Sequence, residues 1–143
     1  MEARPAAELQ RTIMNPEGVA PPSGRYSHAI LVRAGMLLFI ASQTGRDVEG
    51  NLVGHGDVAT QTRQVFHNIG KVLEDAGATF SNVVEFTTYL VGDESVRPFL
   101  EARSELFDEL YPDPDYPPNT LLNVQSLGGG DALVEISAIA ALP

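Results

Sequence analysis

The hydrophobic pattern changes period several times along the chain. Val83–Val91, V-V-E-F-T-T-Y-L-V, runs β-branched and aromatic residues together and predicts a strand. Before it the spacing is helical. Val58, Val65, Ile69, Val72, Leu73 and Ala76 fall on one stripe, so the pattern predicts a helix over Val58–Ala76. Asp57 precedes it as an N-cap whose carboxylate can accept the free N–H groups of the first turn, and Gly77 follows as the residue that ends it. After the strand, Phe99, Arg103, Leu106, Phe107 and Leu110 share one side of a second helix, and Glu101, Glu105 and Asp108 the other. Asp93 or Ser95 is the expected cap, and Pro98 belongs in the first turn, where a missing N–H costs nothing. The run P-D-P-D-Y-P-P at Pro112–Pro118 stops this helix and imposes an extended loop.

The other strands read as two hairpins. Tyr26–Arg33 alternates, Ala34–Gly35 is a turn, and Met36–Ser42 is apolar enough for a buried strand. Near the C-terminus, Thr120, Leu122 and Val124 alternate with Leu121, Asn123 and Gln125. Gly128–Asp131 supplies a turn, and Leu133–Ala141 is a nearly continuous apolar strand. Thr44–Gly56 reads as a loop. A short strand is expected at Arg11–Met14 within an otherwise irregular, proline-containing arm, residues 1–24.

The order β-β-α-β-α-β-β predicts an α+β domain spanning residues 1–143, with residues 25–143 as its core and two helices on one face of a single mixed sheet. Two helices of roughly 17–19 residues cover only one face of such a sheet. The strands Met36–Ser42 and Leu133–Ala141 are too apolar for a solvent-facing surface. The bare face is therefore expected to be buried between copies in a homo-oligomer.

Composition removes several function classes. Nineteen acidic residues against nine basic ones give a net charge of −10, unfavourable for binding a phosphate backbone. No nucleic-acid partner is expected. There are no cysteines, so disulfides, thiolate metal sites and cysteine nucleophiles are absent together. His28, His55 and His67 lack the i, i+4 spacing of a helical metal motif, and no metal site or other cofactor is expected. Gly128–Gly130 has neither the lysine nor the following helix of a phosphate loop. The N-terminal stretch M-E-A-R-P-A-A-E has no apolar core like that of a signal peptide, and no apolar run nears the roughly 20 residues that span a bilayer. No membrane association and a cytoplasmic location are expected.

Several stretches resemble the RidA/YjgF family, the reactive-intermediate deaminases once described as endoribonuclease L-PSP. G-R-Y-S-H-A at Gly24–Ala29 is similar to the family's G-P-Y-S-x-A. A-S-Q at Ala41–Gln43 stands where S-G-Q is usual. Gln61–Ile69 resembles its first helix and Val83–Leu90 its V-V-K-T-T-V-F-L strand. P-P-N-T at Pro117–Thr120 and A-L-V-E-I-S-A-I-A at Ala132–Ala140 resemble P-A-R-S and V-x-I-E-I-E-A-I-A. The resemblance implies a chorismate-mutase-like fold, a homotrimer, and a cofactor-free pocket at each subunit interface. It implies hydrolysis of enamines or imines such as 2-aminoacrylate. An arginine clamps the substrate carboxylate, while a tyrosine and a glutamate place the attacking water.

Carried over residue by residue, the tyrosine is Tyr26 and the S-G-Q glutamine is Gln43. The arginine position is Asn119, and the late glutamate is Ser137; Glu135 nearby is expected on that strand's other face. Ser42 stands for the family's glycine and Arg25 for its proline. A charged hydrogen bond is worth about 1.5–3 kcal/mol, so an amide in place of the clamp weakens carboxylate capture by about 10- to 100-fold. Asn119 by itself suits a neutral carbonyl or amide, while Arg25 is a candidate replacement cation. The candidate catalytic set is thus Tyr26, Asn119 and Ser137, with Arg25, Ser42, Gln43, Glu101 and Leu121 as ligand contacts. Two functions follow: a hydrolase or deaminase acting on a C=N bond of an altered substrate, or a trimer of the same fold that binds a metabolite without transforming it.

Overall fold

The computed structural model describes residues 8–128 and 130–143. The elements are β1 (Gln10–Met14), β2 (Ala29–Arg33), β3 (Met36–Thr44), α1 (Val58–Asp75), β4 (Val83–Val91), α2 (Val96–Leu110), β5 (Asn119–Val124) and β6 (Val134–Leu142). The class is α+β, with two helices and a mixed sheet, as the pattern of periods predicts. Single turns of 3-10 helix precede β4 and α2.

The strand pairings differ from the two expected hairpins. The main sheet has the order β3-β6-β4-β5, and β1 and β2 pair separately as a two-stranded antiparallel sheet. A single continuous sheet is therefore not formed. The first hairpin fails at its turn. A two-residue connection needs a positive φ, and neither Ala34 nor Gly35 has one. Instead Gly35 donates its N–H to Leu142 O at 2.9 Å. The strand also begins at Ala29 rather than Tyr26, leaving Gly24–His28 as loop. The second hairpin fails because β4 lies between β5 and β6: β4 pairs parallel with β5 and antiparallel with β6. The physical reason is the helix between β4 and β5. A strand–helix–strand unit crosses over and returns parallel, which leaves the opposite edge of β4 to β6. Part of the intended turn, Gly129, lies outside the described residues, as do residues 1–7 of the expected arm.

The helices form largely as read. The Asp57 carboxylate accepts the Thr60 N–H at 3.2 Å and the Thr60 hydroxyl at 2.7 Å, capping α1. The helix ends at Asp75, and Gly77 just beyond its cap Ala76 takes a φ of +72° that a side chain would resist. Gln61, fully buried on α1, was not part of the apolar stripe. Its amide donates to Gly54 O at 3.0 Å and accepts the Leu133 N–H at 2.8 Å, tying the helix start to the entry of β6. Gly45 permits this approach: a Cβ there would stand 2.9 Å from Gln61 Cα. The start of α2 is not side-chain capped. The Ser95 hydroxyl donates back to Val91 O instead.

The core lies between the helices and one face of the main sheet. Phe66, Phe86 and Phe107 meet there, with ring centroids 5.6 Å apart for Phe66–Phe86 and Phe66–Phe107, in the edge-to-face geometry that aromatic quadrupoles favour. On β6, Val134, Ile136, Ala138 and Ala140 point into this core. Glu135, Ser137 and Ile139 alternate with them on the other face. Glu135 and Ser137 thus share a face, contrary to expectation, because positions two apart in a strand point the same way. β3 is not buried in the single chain: Met36, Leu37 and Phe39 are exposed, Phe39 to 70%, since β3 is an edge strand whose outward side no element covers.

Candidate functional site

The loop Ser23–Ser27 lies against α2 close to the start of β5. Arg25 of this loop pairs with Asp108 of α2, and a Cβ on Gly24 would stand 3.9 Å from Nη2 of Arg103, the side chain that Asn119 faces. Asn119 opens β5 opposite Phe86, whose side chain is buried in the core. The Asn119 side chain is accordingly directed to the helix-covered face. Its surroundings assign the amide: the nitrogen faces Phe86 O at 3.3 Å and the Thr88 hydroxyl at 2.9 Å, and the oxygen faces Arg103 Nη1 at 3.2 Å.

Arg103 lies on the apolar side of α2, as the hydrophobic spacing predicts, and joins the site although its motif is not among those of the family resemblance. It is 5% exposed and the one charged side chain buried among the described residues. Its guanidinium carbon lies 5.4 Å from the Phe99 ring centroid and 5.6 Å from that of Phe107. Burial, reinforced by the nearby charge of Arg25, pushes its pKa below the usual arginine value, and Tyr116 opposes that shift. One signal pointed to it: an arginine among Phe99, Leu106, Phe107 and Leu110 interrupts an otherwise apolar stripe.

Arg25 does not present a free cation. It is ion-paired with Asp108 on the outer side of α2, and that hydrogen bond raises its pKa. Tyr26 is near Ser23: the Ser23 N–H reaches its hydroxyl at 3.4 Å. Hydrogen bonding to Ser23 lowers its pKa.

The remaining candidates lie elsewhere. The Ser42 hydroxyl donates to the Glu135 carboxylate, on the sheet face away from the helices, where Ser137 also stands. Gln43 donates to Ala41 O at 3.0 Å within the irregularity that interrupts β3–β6 pairing. Leu121 packs against the hydrophobic core, because its β5 register sets it opposite buried Thr88. Glu101 is on the solvent side of α2, paired with Arg97 at 3.0 Å. The chain therefore holds two separate polar groups, one on each side of the sheet: Arg25, Tyr26, Arg103 and Asn119 on the helix side, and Ser42, Glu135 and Ser137 on the bare side.

Among the described residues no three His, Asp or Glu side chains gather to hold a metal ion. No helix among them is long and apolar enough to cross a membrane.

A family model described as Endoribonuclease L-PSP matches residues 17–142. A RutC family protein of Pyrococcus horikoshii is 37% identical over 124 residues, covering 87% of this chain and 92% of that protein. Human 2-iminobutanoate/2-iminopropanoate deaminase is 29% identical over 134 residues, covering 94% and 92%. The crystal structure of YyfB, a Rid family protein from Yersinia pestis, superposes with a TM-score of 0.81 at 34% identity, covering 92% of this chain and 98% of that one.

Proposed function

The chain belongs to the endoribonuclease L-PSP family, the RidA/YjgF proteins, and from that premise we propose that it hydrolyses the C=N bond of a small enamine, imine or related metabolite, using Asn119 where the family resemblance expects an arginine. The observation that carries this reading is the meeting of Tyr26 loop and Asn119 beside α2, around one buried guanidinium. Human and bovine relatives named as 2-iminobutanoate/2-iminopropanoate deaminases support the reaction class.

A hydrolysis of this kind needs a group to orient the electrophile and a group to take a proton from water. The helix-side residues suit the first task. Glu135 suits the second, and the Ser42 hydroxyl fixes its carboxylate. In one chain these groups face opposite sides of the sheet. A second copy packed on the bare face, with Leu37, Phe39 and Leu122 exposed there, would bring one subunit's Glu135 toward another subunit's loop. A homotrimer with inter-subunit clefts is the assembly proposed.

The test is ammonia release from 2-iminopropanoate and from a neutral imine, with the spontaneous rate subtracted. Turnover of either supports the reading. Absence of turnover on both, with a small molecule still bound, favours the second reading, a metabolite-binding trimer. Ser137 in place of the family's glutamate is the observation on that side.

A further inference from the structure

Arg103 carries a charge that nothing described neutralises. Five other cationic side chains among the described residues, with His55, form ion pairs, and Arg103 forms none. Its Nη1 faces Asn119. Its Nε is buried with no hydrogen-bond partner, and no described hydrogen bond is given by Nη2. The neighbouring cation, Arg25, is already matched by Asp108. One positive charge is thus left over at this point of a chain whose net charge is −10.

The two phenyl rings offset only part of the cost of taking a guanidinium out of water. An apolar side chain of similar length would meet the same rings without that cost. The unmatched donors also have a definite shape. Nε and Nη2 form one edge of the guanidinium, and a carboxylate meets such an edge through two parallel hydrogen bonds. Asn119 holds the opposite corner and so fixes the plane of the fork. Above Nη2 lies Gly24, whose missing Cβ would stand 3.9 Å from that nitrogen and 3.7 Å from two Tyr26 ring carbons. Gly24 itself puts no side chain over Nη2, and the Tyr26 ring is the neighbour there.

Resting on the function proposed above, we propose that Arg103 is the recognition residue for the anionic end of the substrate, and that the site takes a small monocarboxylate rather than a neutral imine or amide. The arginine comes from the helix, and Asn119 positions it rather than replacing it. This reverses the preference for a neutral ligand that Asn119 alone suggests. A single unmatched guanidinium suits one negative charge better than a phosphate dianion.

The test compares 2-oxobutanoate with its neutral analogue 2-oxobutanamide by isothermal titration calorimetry on the full chain. The wild type should bind the carboxylate at least about 10-fold more tightly. Arg103→Met should bind both alike while melting no lower than the wild type, since it removes an unpaired buried charge. A purely structural arginine would instead lower the melting temperature. Arg103→Lys keeps the charge but loses the two-donor edge, and it serves as the reading if the Met variant does not fold; about 10-fold weaker carboxylate binding is expected. Equal affinity of the wild type for both probes, no binding of either, or a carboxylate preference that survives in the variants overturns the inference. If the same wild-type sample then hydrolyses a neutral imine, the proposed function stands without it; if it turns over no imine at all, both fall.

Discussion

Arg103 and Asn119 meet where α2 passes the start of β5, with Nη1 3.2 Å from the amide oxygen. The contact joins a helix residue and a strand residue that lie 16 positions apart in sequence. Its consequence is a limit on charge. The space beside Thr88 and Phe86 holds one guanidinium and one neutral amide.

Asn119→Arg would place a second guanidinium against the first. An uncompensated buried charge costs about 3–5 kcal/mol, so the variant should lose that order of stability in urea unfolding. In an Arg103→Met background the same change should be tolerated, recovering most of the loss. A double-mutant cycle with no coupling would show that the two positions do not share one space.

The aromatic cluster sets the position of α2 and therefore of Arg103. Phe107 is 2% exposed and touches Phe66, Phe86, Tyr111 and Tyr116. Phe107→Ala should cost about 3–5 kcal/mol, read as a lower denaturation midpoint at unchanged slope. The guanidinium also loses one of its two rings, so the variant should weaken carboxylate binding beyond what unfolding explains.

Asp57 gives a pH signature. Its pKa lies below the usual carboxylate value because the Thr60 hydroxyl and N–H hydrogen-bond the ionised form. A depressed folded pKa contributes stability that is present above the unfolded value of about 3.9 and is lost as pH falls through the folded one. The wild type should therefore melt above Asp57→Ala at neutral pH, and the gap should close in acid below pH about 3.9. A gap that persists undiminished well below that pH would show that the cap's charge is immaterial.

Phe39 is the most exposed aromatic residue described, on an edge strand beside Leu37 and Met36. Under the proposed assembly, Phe39→Glu should turn an oligomer into a monomer in sedimentation velocity while keeping the far-ultraviolet circular dichroism of the two helices. A wild-type chain that already sediments as a monomer at micromolar concentration would contradict the assembly.

Residue order alone was enough to locate the local elements. Helical spacing located α1 and α2, Asp57 and Gly77 fixed the ends of α1, and β-branched runs located β4 and β6, because each of these signals depends on neighbours within a turn or two of the chain. The motifs at Gly24–Ala29 and Pro117–Thr120 also placed the chain in its family and pointed to Tyr26 and Asn119. Which strand lies beside which was settled only in three dimensions. Ala34–Gly35 looks like a hairpin turn but lacks the positive φ of one, and β4 separates β5 from β6 because a helical crossover returns parallel. The partner of Asn119 belongs to the same class of fact. An arginine in an apolar stripe is visible in the sequence, but helix packing decides whether it reaches solvent or is sealed against two rings with its Nε unanswered.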